Sequence, residues 1–342
     1  MHMKTIDFDY ILPENRIAQS RIHPYDHAKL LHYNRKTKTT SDNHFYEILS
    51  MLTDNDVLVF NNTMVFKARL LGKKLTGGNV EVLLLDPPKN GILTYRCLIK
   101  GHVQKNMIIA FEGFRGCIIE LLDDTTRIIS FSLPLDSVHS QIENAAHFPL
   151  PHYISSLEGK DDYQTVYANN EKQDSIAAPT AGFHFTQELL NKIKQKGVAC
   201  TTIALAIGIG TFRPVKTELI EDHPMHYESY SIDKSTKELL NNYKKQGKRI
   251  IAIGTTCVRT LEDSADKNGV LEKENSKTNI FIYPPYTFKF VDAMITNFHL
   301  PQSTLLMLVS AFMGINEAKH AYQHALEQDY RFYSFGDAMF ID

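Results

Sequence analysis

The sequence has few cysteines and almost no net charge, and both shortages exclude classes of protein. Its four cysteines lie far apart and form no CxxC pair. This spacing argues against a zinc cluster and indicates a reducing compartment. A net charge of −2 gives no overall attraction to polyanions. Binding to a nucleic acid would therefore need a local basic patch.

Long hydrophobic runs are also missing. The most apolar run, LLMLVSAFMG at 305–314, is about half the length needed to cross a bilayer and is typical of a buried helix. No signal peptide is visible at the start of the chain. We therefore expect a cytoplasmic protein that does not enter a membrane and that is a monomer or a weak oligomer.

The chain of 342 residues is long enough for one large or two medium domains. Between about 65 and 150, short β-rich runs alternate with turns, which is typical of a small β-barrel or sandwich. On either side, apolar strands alternate with amphipathic helices such as 186–197 and 235–247. The predicted fold is an α/β (α+β) main domain with a mixed sheet, formed by 1–65 and 150–342, plus a β-barrel domain inserted at 66–149.

The segment DSIAAPTAGFHFT at 174–186 combines small residues with a histidine between two phenylalanines. Thr186 can cap the following helix, so His184 and the loop containing Thr180, Ala181 and Gly182 should lie at a helix N-terminus. Free N–H groups there favour an anion. The segment is either a tight structural corner or the floor of a ligand site.

Two further segments place small or polar residues where a strand ends. In AIGTTCVRTLED at 252–263, Thr255, Thr256 and Arg259 suit a carboxylate or phosphate, although a capped structural loop fits equally well. In AIGIGTFRPV at 206–215, Gly208 and Gly210 allow close backbone approach. The dinucleotide pattern GxGxxG is incomplete there, so a strand end or β-bulge is the favoured interpretation.

Histidines occur in two other polar segments. His223, His226 and Glu228 in HPMHYESY have a spacing that could hold a metal, but the helical HExxH spacing is absent. We prefer an acid/base pair of His226 with Glu228, and a surface cluster is the alternative. In ITNFHLPQ, Asn297 and His299 need partners, which either a core network or a ligand could supply.

The C-terminal segment YRFYSFGDAMFID is rich in aromatic and apolar residues. Such a terminus is expected to dock onto the protein, with Arg331, Tyr333 and Asp337 presented around Gly336.

Taken together, these segments resemble one family over nearly the whole chain, the S-adenosylmethionine:tRNA ribosyltransferase-isomerases of queuosine biosynthesis. The motifs that carry the resemblance are LPENRIAQ, DVLVFNNT, ARLLG, PLPHYI, YQTVYA, AAPTAGFHFT, GTFRPV, MHYESY, GTTCVRTLE, IFIYPPY, ITNFHLPQSTLLMLVSAF and YRFYSFGDAM. Many long motifs in the right order make the resemblance highly specific.

The resemblance implies an α/β domain with an inserted β-barrel and a reaction in which S-adenosylmethionine donates its ribosyl group. The acceptor would be the aminomethyl group of a 7-deazaguanine base at the wobble position of a tRNA. The product would be an epoxyqueuosine-type cyclopentane epoxide, with adenine and methionine released. S-adenosylmethionine is then a co-substrate, and no metal or redox cofactor is expected.

This chemistry assigns roles to the candidate residues. A base must remove a proton beside the sulfonium, and the leaving adenine needs an acid or donor. The expected catalytic residues are His184, His226 and His299 as acids or bases, with Glu228 and Asp337 as orienting groups or alternative bases. The expected S-adenosylmethionine-binding residues are Thr180, Ala181, Gly182, Gly208, Gly210, Thr211, Thr255, Thr256, Arg259 and Asn297. The expected tRNA-binding residues are Asn61, Asn62, Lys67, Arg69, Lys73, Arg213 and Arg331.

The chain departs from the family pattern at several motif positions, and the departures remove three arginines and one histidine. The residues that stand at the departing positions are Ala28, Lys29, Met64, Asp162, Ala206 and Pro285. Two other hypotheses are therefore kept open: an enzyme of the same fold acting on a free base or nucleoside, and a non-catalytic relative that binds tRNA or a ligand. The fourth and least favoured hypothesis is a metal-dependent hydrolase built on His223, His226 and Glu228.

Overall fold

The computed structural model describes residues 2–122, 125–149, 153–154, 163–208 and 215–342. The chain divides into two compact units. The first comprises Met1–Thr63, His152–Lys172 and Ala178–Asp342, and the second comprises Met64–Pro151 and Gln173–Ala177. The boundaries at 66 and 149 inferred from the sequence stay a prediction.

Seventeen strands and seven α-helices are assigned within the described residues. The strands are β1 (Lys29–Asn34), β2 (Thr39–His44), β3 (Asp56–Asn61), β4 (Met64–Val65), β5 (Arg69–Lys74), β6 (Asn79–Leu84), β7 (Thr94–Lys100), β8 (Ile108–Ala110), β9 (Arg115–Leu121), β10 (Arg127–Ser132), β11 (Gln173–Ser175), β12 (Ala199–Leu205), β13 (Glu228–Ser231), β14 (Arg249–Ile253), β15 (Asn275–Thr278), β16 (Ala293–Asn297) and β17 (Ala338–Ile341). The helices are α1 (Ile48–Met51), α2 (Val138–Ala145), α3 (Gln187–Gln195), α4 (Lys234–Lys245), α5 (Thr255–Ser264), α6 (Thr304–Met313) and α7 (Ile315–Glu327).

In the described part of the first unit, nine strands form one mixed sheet in the order β15-β13-β12-β3-β14-β16-β17-β1-β2. Its centre, β12-β3-β14-β16, is parallel, and antiparallel pairs flank it on both sides. Strand β3 is buried along its whole length, as expected for a parallel strand covered on both faces. The predicted α/β fold with a mixed sheet is confirmed.

The core of this unit lies where the central strands meet helix α3 and the end of the small-residue segment. Leu58, Ile251 and Ile295 from three neighbouring strands pack in one cluster with Phe185 and Ile193, and all five are buried. The cluster stabilises the sheet by removing apolar surface from water.

In the described part of the second unit, six strands close into a barrel in the order β10-β7-β6-β5-β8-β9. The interior accepts no side chain at Gly72, because a Cβ atom there would lie 2.6 Å from Ile109 and 2.8 Å from Phe111. The barrel predicted from the alternating short strands and turns is confirmed. Strands β4 and β11 of the same unit pair in parallel.

The helix ends follow the expected signals. Thr186 caps α3 by accepting a hydrogen bond from the Leu189 amide, and Ser303 caps α6 in the same way through Leu306. Helix α6 is the apolar run, and its residues are largely buried. Among the residues that the structure describes, no helix has the length and apolar character needed to cross a membrane.

Candidate functional site

Most of the predicted loops meet at one edge of the main sheet. Because β12, β3, β14 and β16 are parallel, their carboxyl ends lie together, and α5 begins directly after β14. Strand β17 runs antiparallel to β16 and places Ala338 opposite Asn297, so Asp337 is also at this edge. In open α/β sheets, ligands bind outside the carboxyl ends of the strands.

A hydrogen-bonded chain connects two of the predicted segments at this edge. The Thr180 hydroxyl donates to Asn297 Oδ1 at 2.9 Å, so the Asn297 Nδ2 group donates to His184 Nε2 at 3.2 Å. The Nε2 atom therefore accepts, and the imidazole is neutral. Burial, assisted by the positive charges of Arg21 and Arg331, lowers the pKa of His184 to about 3.

His184 also borders a small cationic depression. The depression is lined by Arg21, Tyr25, Phe183, Arg331 and Gly336 together with His184. Arg21 stacks on the Tyr25 ring at 3.3 Å and donates to the Phe183 carbonyl. The Arg331 side chain keeps 28% of its surface exposed. Two guanidinium groups beside one depression favour an anion.

Sequence reasoning missed Arg21 and Tyr25. They stand 163 and 159 positions before His184 in the chain. No local motif marks them, and only the fold brings them to His184.

The small-residue loop itself is packed against protein. A Cβ atom on Gly182 would lie 1.8 Å from the Tyr167 hydroxyl and 2.9 Å from Thr165 Cγ2. Ala181 is 3% exposed and belongs to the core cluster. For Ala181 and Gly182, this placement favours the tight structural corner over contact with S-adenosylmethionine, since neither presents open surface to a ligand.

A second group of predicted residues forms a buried ion pair. Arg259 Nη1 donates to Glu228 Oε2, and the amide of Gly208 donates to Glu228 Oε1 at 2.9 Å. The Glu228 and Arg259 side chains are 4% and 8% exposed. Three separate motifs are therefore joined by one carboxylate.

This ion pair lies at a small depression that is open to solvent and has a cavity volume of about 20 Å³. Its lining residues are His223, Met225, His226, Glu228, Arg259, Thr304 and Leu305. His226 is exposed, and partial burial with the nearby charge of His226 lowers the pKa of His223. The Glu228 oxygens already accept hydrogen bonds from Arg259 and Gly208. No cluster of three or more metal-ligand residues is found in the described part of the chain.

Thr255 and Thr256 begin α5 after Gly254, whose φ of +90° is in the left-handed region that favours glycine. The Thr256 hydroxyl accepts from Asn61 at 3.4 Å, and the Asn61 amide group also bonds both backbone groups of Leu205. Asn61 is fully buried, so it joins strands instead of presenting a surface to tRNA. The Asn62 side chain donates to Thr202 at 3.1 Å.

His299 lies in an aromatic core. Its Nε2 atom hydrogen-bonds the Thr296 hydroxyl at 2.9 Å, and its amide donates to the Tyr322 hydroxyl at 3.0 Å. Burial lowers the pKa of His299 to about 3. This placement favours the core network over the expected catalytic role, because the half-buried ring is hydrogen-bonded to Thr296 and its lowered pKa makes it a weak base.

The Asp337 carboxylate accepts hydrogen bonds from two backbone amides at the sheet edge. Its Oδ1 atom accepts from the Lys29 amide at 2.9 Å, and its Oδ2 atom accepts from the Arg331 amide at 2.7 Å. The side chain is 1% exposed. Asp337 is therefore placed to orient the Arg331 segment, one of the two roles expected for it, and not to act as a base.

The basic residues expected at the start of the barrel differ in whether an acidic side chain lies close to them. Lys67 Nζ donates to the Glu143 carbonyl at 3.2 Å and lies 3.5 Å from its carboxylate. Arg69 is 3.7 Å from Glu81, whereas Lys73 is exposed. Gly210, Thr211 and Arg213 lie outside the described residues.

The positions that depart from the family pattern have ordinary structural partners where they are described. Lys29 Nζ donates to the Gln328 carbonyl at 2.6 Å, and the Ala206 amide donates to Ser229 at 2.9 Å. Met64 pairs with Gln173 in β4 and β11. Ala28 is buried and Pro285 is exposed, and Asp162 lies outside the described residues.

Comparison with known proteins supports the resemblance found in the motifs. A family model described as "Queuosine biosynthesis protein" matches residues 5–341. An S-adenosylmethionine:tRNA ribosyltransferase-isomerase from Fusobacterium nucleatum is 46% identical over 341 residues, covering 98% of this chain and 96% of the relative. The crystal structure of S-adenosylmethionine tRNA ribosyltransferase from Thermotoga maritima shares 35% identity and a TM-score of 0.57, covering 98% of this chain and all of that one. The chain belongs to the queuosine biosynthesis protein family.

Proposed function

We propose that this chain is an enzyme that transfers the ribosyl group of S-adenosylmethionine to tRNA and isomerises it. The observation that carries the proposal is the 46% identity to an enzyme of that name over almost the full length of both chains. The gathering of the family motifs at the carboxyl edge of the sheet supports it, since this edge is where such folds bind ligands.

The finer proposal concerns the acceptor and the products. The aminomethyl group of a 7-deazaguanine base at the tRNA wobble position would attack, and an epoxyqueuosine-type epoxide would form with release of adenine and methionine. Its support is the run of motifs shared with the family, from the small-residue segment to the C-terminal segment.

The proposed proton carrier is His226. The sulfonium acidifies the C5′ protons of the ribose, and an efficient base has a pKa near the working pH. Burial lowers the pKa of His184 and His299 to about 3, which makes both rings weak bases. His226 is exposed and lines the same pocket as Glu228 and Arg259.

The proposed tRNA contacts are the exposed cations. Lys73 on the barrel is exposed to phosphate oxygens, whereas Lys67 is bound to Glu143 and the half-buried Arg331 lies 3.6 Å from Asp337. Since the net charge is −2, such local contacts have to supply the electrostatic attraction.

The test is mass spectrometry of a tRNA that carries the aminomethyl-deazaguanine base, after incubation with the protein and S-adenosylmethionine. We expect a mass gain equal to the epoxycyclopentane unit, together with free adenine and methionine. A tRNA with unmodified guanine at the same position is the control. Binding of S-adenosylmethionine and tRNA without adenine release would instead favour the non-catalytic relative, and adenine release only with a free nucleoside would favour another acceptor.

A further inference from the structure

The motif IFIYPPY at 280–286 helps to carry the family resemblance, but no role has been assigned to its residues. It belongs to the segment that leads from β15 to β16 in the main unit. Ile282 is buried, whereas Phe281 and Tyr283 on either side of it are half-buried. This alternation leaves two neighbouring aromatic rings partly in contact with solvent.

The two rings form an aromatic pair with unused stacking surface. Their centroids lie 4.8 Å apart with the ring planes inclined by 60°, and Phe281 also meets the His223 ring at 5.8 Å and 68°. These contacts are tilted or edge-on, and within the described residues no ring is stacked parallel to Phe281 or Tyr283. A further flat ring can therefore be added against this pair.

The segment that carries the aromatic pair is held in place by Glu262 of α5. This side chain is fully buried, and its carboxylate accepts hydrogen bonds from three successive backbone amides at 289–291, at 2.8 to 3.0 Å, and from the Tyr286 hydroxyl at 3.2 Å. A buried carboxylate with four donors fixes the chain that supplies them. A pre-organised surface of this kind loses little conformational entropy when a ligand binds.

The surroundings of the aromatic pair add a positive charge. His223, which Phe281 contacts, lines the same depression as the exposed His226. Lys277, four residues before Phe281, is exposed on β15 and is in no ion pair with another residue that the structure describes. Stacking surface and nearby cations are the two features that bind single-stranded nucleic acid.

The open position of the aromatic pair favours an RNA base over the adenine of S-adenosylmethionine. Small ligands bind in concave sites that bury most of their surface, and the adjoining depression of about 20 Å³ is too small to enclose an adenosine. Unpaired nucleotides are instead recognised on open surfaces, where their bases stack on aromatic side chains.

We propose that Phe281 and Tyr283 form a stacking platform for an unpaired base of the tRNA substrate. The base lies against the aromatic pair, and Lys277 binds a phosphate of the same strand. The inference rests on the proposed function, which supplies tRNA as the substrate.

The chain contains no tryptophan, so F281W gives the protein a single indole on the platform. Its fluorescence is measured during titration with tRNA that carries the aminomethyl-deazaguanine base, with a fully paired RNA duplex, and with S-adenosylmethionine alone. We expect tRNA to quench the emission, since a stacked base contacts the indole, and we expect no quenching by the other two. The matched control Y243W places the indole at a half-buried position of α4 and should not respond to tRNA.

Affinity measurements test what the stacking contributes. F281L should weaken tRNA binding by about 5- to 150-fold, the loss expected for one base stacked on an aromatic ring. The slope of affinity against salt should stay the same, because the ring neutralises no phosphate. The control F288L removes another ring of the same segment, which packs against Phe312, and should leave the affinity unchanged.

The outcomes separate the inference from the proposed function. If the unmodified protein modifies the tRNA, but tRNA does not quench F281W or F281L binds tRNA as tightly as the unmodified protein, the inference is overturned while the function stands. Quenching by the duplex or by S-adenosylmethionine alone also overturns it, since neither supplies an unpaired RNA base. If the unmodified protein neither binds nor modifies the tRNA, the proposed function fails and the inference fails with it.

Discussion

His184 is buried and His299 is half-buried, and removal of each ring from water lowers its pKa to about 3. Asn297 donates to one ring, and the Thr296 hydroxyl hydrogen-bonds the other. A neutral histidine in such a position is a fixed hydrogen-bonding group, not a proton carrier. At the residue scale, exposure therefore distinguishes His226 from the other two candidates.

These two histidines should make stability depend on pH. In the unfolded chain each ring titrates near 6.5, whereas in the folded chain it stays neutral down to about 3. The unfolded state therefore binds more protons below pH 6.5, and the stabilisation present above 6.5 is lost as the pH falls towards 3. Each ring contributes a slope of up to about 1.4 kcal/mol per pH unit to the free energy of unfolding.

Urea unfolding between pH 7 and pH 5 measures this slope. The H299Q variant keeps a side chain that can reach Thr296 but cannot be protonated, so its slope should be smaller by about one group. The matched control is H320Q, which changes an exposed histidine on α7. An H299Q slope equal to that of the unmodified protein would show that the ring titrates in the folded chain as it does in the unfolded chain.

Loss of the His226 imidazole should reduce turnover more than binding. We expect H226Q to lower kcat by about 10²- to 10⁴-fold with a small change in KM for S-adenosylmethionine, since general base catalysis contributes a factor of this size. Adenine release under single-turnover conditions measures the effect, with H320Q again as control. Full activity in H226Q would remove His226 from the reaction.

The small-residue segment shows at the element scale why glycine is needed. The 3-10 turn Thr180–His184 leads to the cap of α3 at Thr186, and Tyr167 and Thr165 pack against the turn at Gly182. The backbone can approach Tyr167 this closely only without a Cβ atom. The segment therefore sets the position of His184 through packing.

A methyl group at Gly182 should consequently destabilise the main unit. G182A places a carbon 1.8 Å from the Tyr167 hydroxyl, so the ring or the turn must move, and overpacking of this kind costs about 1–3 kcal/mol. The control is G78A in the barrel unit, where the added Cβ would meet the flexible Lys74 side chain at 3.5 Å. Thermal unfolding measures both. Equal stability of the two variants would mean that Tyr167 yields without cost.

Charge is the property that matters at the scale of the whole molecule. The chain carries 37 basic and 39 acidic residues, so any attraction to tRNA is local. Many cations of the described residues are engaged in ion pairs such as Lys67–Glu143 and Arg249–Asp56. Only cations that remain accessible can exchange counterions for phosphates.

The affinity for tRNA should therefore fall with salt, and the slope should respond to particular lysines. Between about 50 and 200 mM salt, log K should fall linearly with log salt concentration. K73Q should reduce the magnitude of the slope by about 1, as expected when one phosphate contact is lost. K67Q, which removes a lysine already paired with Glu143, should leave the slope unchanged. Filter binding over a salt series measures both, and equal slopes for K73Q and the unmodified protein would place Lys73 outside the interface.

Local patterns were sufficient for the elements and for parts of the site. The Thr186 cap, the buried helix α6 and the barrel strands all follow from signals within a few residues, because capping and alternation are short-range properties. The partner of Arg259 could not be predicted in this way. Glu228 lies 31 positions earlier on strand β13, whereas Arg259 lies on helix α5, and only the pairing of β12 with β13 brings Gly208 to the same carboxylate.

The sequence by itself determined the family, the α/β and β-barrel folds and the segments that form the candidate site. These depend on motif order and local periodicity. Tertiary structure alone decided which residues of those segments are buried and which remain exposed. It buried His184 and Asn61, left His226 exposed, and brought Arg21 to His184 across 163 positions of the chain. The physical reason is that burial and long-range pairing depend on how strands order within the sheet, and that order is not encoded within any single motif.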